Sequence, residues 1–288
     1  MPDDNNSAPL NAEKIRSVCL SNGCDIDVVV LQSVESTNTW LMQRPQNDGQ
    51  AINQAADKNT TNRTSVQLCA AEHQTVGRGR RGKTWHTPTA GVTFSIRIDS
   101  SAPVASFNGL SLLVGANLCD RLRAAGAQDA MLKWPNDILV GDAKLAGILI
   151  ETSVQSSSAD KPGNGGTTLV IGMGVNYQRG AEAGSIDQRS TDLYDICAGI
   201  LPDRSMLIGD IAAHVIASVE SDVPSAVRDL AAHWSRYDAL ANCELTVSTP
   251  NGEATGLAAG IDPTGSLLVS VDGDTVAYTS AEVSVRRG

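Results

Sequence analysis

Residues 244–286 break into short alternating strands, punctuated by Pro250-Asn251-Gly252, Asp262-Pro263-Thr264-Gly265 and Asp272-Gly273-Asp274. Turns so closely spaced leave no length for helices, and the segment reads as a small β-barrel of about 45 residues. Upstream the texture differs. Residues 26–32, 66–72, 91–98, 144–151 and 167–176 are strand-like runs, most of them apolar. Between them, residues 107–125 place Leu110, Leu113, Val114, Leu118 and Leu122 at helical spacing, with Gly126 as the stop. A second helical pattern runs through Ile211, Ala212, Val215, Ile216 and Val219, is interrupted by Pro224, and resumes at Val227, Leu230, Ala231 and Trp234. The spacing thus predicts a tail and short helix over 1–25, a mixed α/β body over 26–239, and an all-β module over 240–288.

With 288 residues, 41% of them hydrophobic, the chain can bury a sizeable core. Residues 1–9 read as a disordered tail and residues 12–20 as two helical turns before Asn22-Gly23. Across the first 30 residues Lys14 and Arg16 stand against five carboxylates (Asp3, Asp4, Glu13, Asp25 and Asp27), the wrong sign for reading DNA. No apolar run approaches the ~18 residues that a membrane span needs, and the first residues carry Asp3 and Asp4 and no apolar h-region, so export and membrane insertion are not expected. The six cysteines form no C-x-x-C, and His73, His86, His214 and His233 give no metal spacing with them, which points to a reducing cytosol. Residues 43–64 and 153–166 are polar or Gly/Ser-rich, the first a mobile loop and the second a hairpin connection.

The overall charge of −10 repels polyphosphate backbones, and against it one basic segment stands out: Gly77-Arg78-Gly79-Arg80-Arg81-Gly82-Lys83. Glycines leave backbone amides uncovered and arginine offers planar forks of donors, so the segment suits a small anion. It is not a P-loop, because its glycines are wrongly spaced and Trp85-His86-Thr87-Pro88 opens no helix. The bland alternative is a solvated basic turn. Four cations that repel one another leave this loop with little to hold it down until an anion arrives.

Three other places carry chemistry-bearing side chains. Ser36-Thr37-Asn38 lies where a strand gives way to a helix, as caps or as hydrogen-bonding groups beside uncapped amides. Met131 to Ile138 reads as a strand broken by Pro135, and its Asn136-Asp137 pair, next to Lys133 and Trp134, is either part of a tight turn or a holder of metal-bound phosphate. Lys144 sits at the mouth of a buried strand containing Gly147, a rim residue or a site residue, and Gly172-Met173-Gly174 leaves a slot in the next strand.

Taken together, S-T-N at 36–38, Q-T-V-G-R-G-R-R-G-K-T-W at 74–85, K-W-P-N-D at 133–137, K-L-A-G-I-L-I-E at 144–151 and G-M-G-V-N at 172–176 closely resemble the biotin protein ligases, from about residue 28 onward. The sequence is similar to the family's short form, without the N-terminal winged helix. It departs from the family in its long polar loop at 43–64 and its long connection at 153–166.

The resemblance implies an α/β (α+β) catalytic domain like those of class II aminoacyl-tRNA synthetases, with a mixed sheet and flanking helices, plus an SH3-like C-terminal barrel. It implies ATP and biotin as substrates with Mg²⁺, and a biotin carboxyl carrier protein as partner. Nucleic acid and membrane are not implied, and the chain would be a monomer or weak homodimer. Carried over by residue, Ser36, Thr37, Asn38 and Gln74 would bond biotin's ureido ring, and Arg78, Gly79 and Arg80 would close over its carboxylate. Gly147 would border the slot for the bicyclic ring. Lys144 and Arg80 would be catalytic. Arg78, Arg81, Trp85, Lys133, Asn136 and Asn176 would line the nucleotide, and Asp137 would meet Mg²⁺. A lipoate-type ligase shares the implied fold but is not expected to carry the arginine loop or Lys-Trp-Pro-Asn-Asp. A non-catalytic biotin-sensing regulator is disfavoured by Lys144 and the intact loop.

Overall fold

The computed structural model describes residues 8–44, 66–85, 90–154, 166–178, 189–249, 252–279 and 284–287. The expected loop at 43–64 lies outside the described residues beyond Arg44, and so does most of the 153–166 connection.

Helix α1 (Ala12–Ser21) opens on Asn11, whose side chain accepts the Lys14 amide, and its buried Ile15 and Cys19 face helix α5 (Arg204–Glu220). Next come β1 (Asp27–Val34), α2 (Thr37–Met42), β2 (Gln67–Gln74), β3 (Ala90–Ser100) and α3 (Leu110–Ala124). Strands β4 (Ala130–Lys133), β5 (Asp137–Val140), β6 (Ala143–Val154) and β7 (Thr167–Gln178) complete a seven-stranded sheet in the order β1-β2-β3-β7-β6-β5-β4. Only β1 and β2 run parallel, so the sheet is mixed. The short helix α4 (Leu193–Ile196) precedes α5, and α6 (Val223–Ala232) follows it.

The central strands bury both faces, which is why their polar alternation did not announce a site. On β7, the side chains of Ile171, Met173, Val175 and Tyr177 join the large core with Phe94, Ile96, Leu118 and Leu122. On the opposite face Val170 meets Leu41 and Cys69 in a small cluster beneath α2. Gly172, Gly174 and Asn176 share that second face, and the register sets Ser95 beside Gly172, with Thr93 and Gly147 flanking Gly174.

The C-terminal sheet has five antiparallel strands in the order β11-β10-β9-β8-β12: β8 (Glu244–Thr249), β9 (Gly252–Ile261), β10 (Leu267–Val271), β11 (Asp274–Tyr278) and β12 (Ser284–Arg287). Its Leu245, Val247, Ile261, Leu267 and Val269 belong to the same core cluster as Trp234 and Trp134. The Trp134 indole N–H donates to Gly265 O at 3.1 Å, tying the Lys-Trp-Pro-Asn-Asp turn to the C-terminal sheet.

Four local expectations need correction. Of the tail expected over residues 1–9, residues 1–7 lie outside the described residues, whereas the Ala8 carbonyl accepts from Arg204 at 2.7 Å and the adjoining Leu10 amide donates to Glu72 at 2.6 Å. Residues 133–137 are a turn between paired strands rather than one broken strand, because Lys133 already opposes Asp137. Pro224 begins α6 instead of interrupting a helix, since the first turn has no use for its missing N–H. Helix α3 starts at Leu110, after Gly109 takes φ 80°, with Phe107 in a separate short turn.

Candidate active site

The N-terminus of α2 is built as a polar knot on the second face of the sheet. Ser36 has extended backbone and its Oγ accepts the Thr39 amide at 3.4 Å, so its capping role is realised. The Thr37 amide donates to Gln74 Oε1 at 2.8 Å. Ser95, fully buried on β3, donates its one hydroxyl proton to Asn38 Oδ1 at 2.6 Å. The Thr37 hydroxyl donates to Gln74 Oε1 at 3.1 Å and lies 2.7 Å from Ser95 Oγ. Gln74's carbonyl faces Thr37, which leaves its amide N–H₂ as the group turned toward the arginine loop.

Asn38 is spent at both ends: its Nδ2 donates to Glu151 Oε2 at 2.9 Å and to Leu149 O at 3.3 Å. It is only 3% exposed, so it shapes the site through its neighbours rather than by offering a free hydrogen bond.

The arginine loop is pinned more firmly than its charge predicts. Arg78 bridges Thr84, the Gly79 amide donates to Lys83 O at 2.7 Å, and the Trp85 amide donates to Gly77 O at 2.9 Å. Its glycines serve different needs: a Cβ on Gly77 would land on the Trp85 carbonyl oxygen, whereas Gly82 has open space around it but a φ of 72°. Arg81 shares that left-handed region at φ 55°, a conformation that costs a non-glycine residue about 1 kcal/mol. Arg78 pairs with Glu151 at 3.0 Å, and Arg80 donates to Asn136 Oδ1 at 3.2 Å. Burial and the neighbouring Arg81 hold the Arg80 pKa below its ordinary value, offset in part by Asp137.

Lys144 reaches Asp137 at 2.6 Å and lies 5.6 Å from the centre of the Trp85 ring. A bulge explains its aim. Between β5 and β6 the register advances one residue, Ile138 to Leu139, against two, Ala146 to Lys144, so Leu145 is extra and Lys144 turns onto the face of Gly147. Asn136 donates to Ile148 O at 2.9 Å, and Lys133 opposes Asp137 across the turn. Asn176 donates to Lys144 O and Thr191 O at 3.1 and 3.0 Å, bolting the start of β6 to residues 189–191.

The slot expected at Gly147 and Gly172–Gly174 is occupied by the protein's own side chains. A Cβ on Gly172 would sit 2.9 Å from Asn38 Cγ, and one on Gly174 would sit 2.5 Å from the Trp85 indole. That indole buries an N–H with no partner among the described residues. Arg78 docks on Glu151 and Arg80 on Asn136, so the two arginines have different partners.

Sequence reasoning missed Ser95 and Glu151. Ser95 lies within the ordinary alternation of a strand, and Glu151 closes the K-L-A-G-I-L-I-E run with nothing in its spacing to assign it a partner. Burial pushes the thiols of Cys19, Cys69 and Cys119 up to about 12, which makes these three poor nucleophiles. Among the described residues no group of three or more His, Cys, Asp or Glu side chains is arranged to hold a metal ion. Asp137 is one carboxylate with an oxygen already on Lys144. That fits Mg²⁺ arriving on a polyphosphate, which needs one or two carboxylates beside phosphate oxygens, better than a resident ion.

Comparisons with known proteins agree with this architecture. Residues 31–176 match the Biotin/lipoate A/B protein ligase family, and residues 242–286 match the Biotin protein ligase C terminal domain. The chain is 32% identical over 279 residues to the Bifunctional ligase/repressor BirA of Salmonella typhimurium, covering 96% of this chain and 78% of that one. It is 32% identical over 222 residues to the Biotin--[acetyl-CoA-carboxylase] ligase of Mycobacterium tuberculosis, covering 74% of this chain and 76% of that one. The fold is that of a biotin protein ligase from Aquifex aeolicus solved in complex with biotin and ATP, with a TM-score of 0.66 at 21% identity over 91% of this chain and 99% of that one. The chain belongs to the biotin/lipoate A/B protein ligase family.

Proposed function

We propose that this protein is an ATP-dependent biotin protein ligase that makes biotinyl-5'-AMP and passes the biotinyl group to a lysine of a biotin carboxyl carrier protein. One observation carries the reading. Lys144, Arg80, Asn136 and Asp137 meet beside Gly147 and Ile148 of β6, while the Ser36-Thr37-Gln74 knot, with Asn38, lies farther along the same sheet beside Leu149. Such an arrangement suits a long ligand with a polar head and a carboxylate tail. The match of residues 242–286 to a biotin protein ligase module favours biotin over lipoate.

In the first step a carboxylate oxygen of biotin forms a bond to the α-phosphorus of ATP, the bond to the β-phosphate oxygen breaks, and pyrophosphate leaves. Two anions must approach, so Lys144 and Arg80 act where negative charge gathers on the phosphoryl oxygens. Asp137 and Asn136 hold those two cations in place beforehand. Mg²⁺ on the polyphosphate, beside Asp137, would supply further charge neutralisation. In the second step the carrier's neutral lysine amine attacks the acyl carbon, the carbon–oxygen bond to phosphate breaks, and AMP departs as the nitrogen loses its proton. The six cysteines are free, as suits a reducing cytosol, and among the described residues no helix is long and apolar enough to cross a membrane.

The direct test is exchange of labelled pyrophosphate into ATP. Exchange should require both biotin and Mg²⁺, and lipoate should not replace biotin. Exchange that runs equally well without biotin would reject the reading.

A further inference from the structure

We propose that Glu151 is a positioning residue for biotin binding, a latch that fixes the arginine loop and the first turn of α2 in one arrangement. The proposal rests on the reading of this site as a biotin-activating one. Glu151 touches neither Lys144 nor Asp137; it acts through two other residues. Its Oε1 lies 3.0 Å from Arg78 Nη1, and its Oε2 accepts from Asn38 Nδ2 at 2.9 Å. Arg78 Nη1 also lies within 3.4 Å of Thr39 Oγ1, so the loop is held against α2 by the same guanidinium.

The ion pair alone carries little, because the Arg78 side chain is 49% exposed and solvent screens it. The discriminating bond is the other one. Asn38 is buried, its Oδ1 is taken by Ser95, and a lost acceptor at Nδ2 would leave a buried donor with only the longer bond to Leu149 O. Both partners of Glu151 are pure donors at these atoms, so the position requires two acceptors from one side chain. Only a carboxylate supplies them. The effect passes onward because Asn38 follows Thr37, whose amide holds Gln74, and Gln74 leads into the loop that returns through Arg78. Thus Glu151 closes a ring of contacts around the groups expected to read biotin's polar head.

Glu151→Gln tests this in the full chain. Glutamine keeps the volume and one oxygen, but whichever way its amide turns, a nitrogen faces a donor. The KM for biotin in pyrophosphate exchange should rise roughly tenfold while kcat stays within about threefold, the size of losing one charge-assisted bond. Without any ligand, trypsin should cut after Arg80 or Arg81 about tenfold faster than in the unsubstituted chain. Arg78→Gln severs the pair from its exposed side and guards against a folding failure at Glu151. The double variant should cost no more than the worse single, since both remove one contact. Biotin-dependent exchange by the unsubstituted chain establishes the activity separately, and the ligand-free proteolysis reports on the latch whatever the substrate. Unchanged biotin KM with unchanged cleavage would overturn the proposal, as would a fall in kcat alone or costs that simply multiply.

Discussion

Lys144 at the start of β6 folds back over Gly147 onto Asp137, with Arg80 close by on Asn136; farther along the strand Glu151 takes Arg78 and Asn38. Six residues lie between Lys144 and Glu151, but Asp137 opposes Gly147 and Asn136 bonds Ile148, so the two docking places are only about four residues, roughly 13 Å of strand, apart. One loop therefore docks at two places with different electrostatics. Around Glu151 the charges cancel and the named acceptors are in use, so that end sets positions. Around Lys144, Asp137 pairs with Lys144 and acts on the nearby Arg80, and a Trp85 face lies beside Lys144. The anion chemistry is concentrated there. A basic loop is thus not one uniform cradle: Arg78 and Arg80, two residues apart, do separate work because the sheet offers each a different partner.

The sharpest way to break this division is Lys144→Ala. It deletes a preorganised charge aimed at the reacting phosphate, so kcat for exchange should fall by about 10²-fold or more. The biotin KM should move by less than about threefold, since the Gln74 and Asn38 contacts lie toward the other end. Steady-state exchange with varied biotin reads both numbers. A large rise in biotin KM with little change in kcat would place Lys144 on the wrong side of the comparison.

Gly172→Ala probes the other side. The new methyl would be driven into the Asn38 amide, a short, buried side chain tied at both ends, so the clash cannot be relieved by a swinging tip. Overpacking of this kind costs about 1–3 kcal/mol, which urea unfolding would report. The biotin KM should rise about tenfold as the knot shifts, with a smaller change in kcat. A loss confined to kcat would mean that the Asn38 end is not reading biotin's head.

Much of the chain was legible because hydrophobic runs declare strands and helices: β6, β7, α3 and the turn-rich C-terminal strands follow from periodicity and punctuation. The site's residues could be collected from their chemistry, but their neighbours could not. Which glycine lies beside which depends on register, and Gly147 opposite Gly174 is invisible without the pairing of β6 and β7. The aim of Lys144 depends on one bulged residue, Leu145, in an unbroken apolar run. Glu151 escaped notice because a carboxylate ending an apolar strand looks the same whether it meets water or a buried amide. The anchoring of Ala8 and Leu10 needed Arg204 and Glu72, which no local pattern connects to them.

The smallest expected effect sharpens the comparison most, because it falls between the two ends. A Cβ on Gly147 would lie 3.2 Å from Trp85 Cζ3 and 3.3 Å from both Cε and Nζ of Lys144. Its backbone has no positive φ to strain, and the neighbours are the tip of a flexible lysine and the edge of a ring. A shift of a few tenths of an ångström relieves the crowding. Replacing glycine in a strand also lowers the entropy of the unfolded chain, which offsets part of the cost, so Gly147→Ala should change stability by less than about 1 kcal/mol. The displaced group is nevertheless Lys144. If the Lys144 end carries the anion chemistry, kcat for exchange should fall about threefold to tenfold while the biotin KM changes by less than twofold, on the scale of a misplaced catalytic contact. If the glycine instead borders the space for the bicyclic ring, the balance reverses and the KM for biotin rises more than kcat falls. The ratio of these two changes in one variant, measured beside thermal unfolding to show that the chain is intact, decides where along β6 biotin recognition gives way to phosphoryl chemistry.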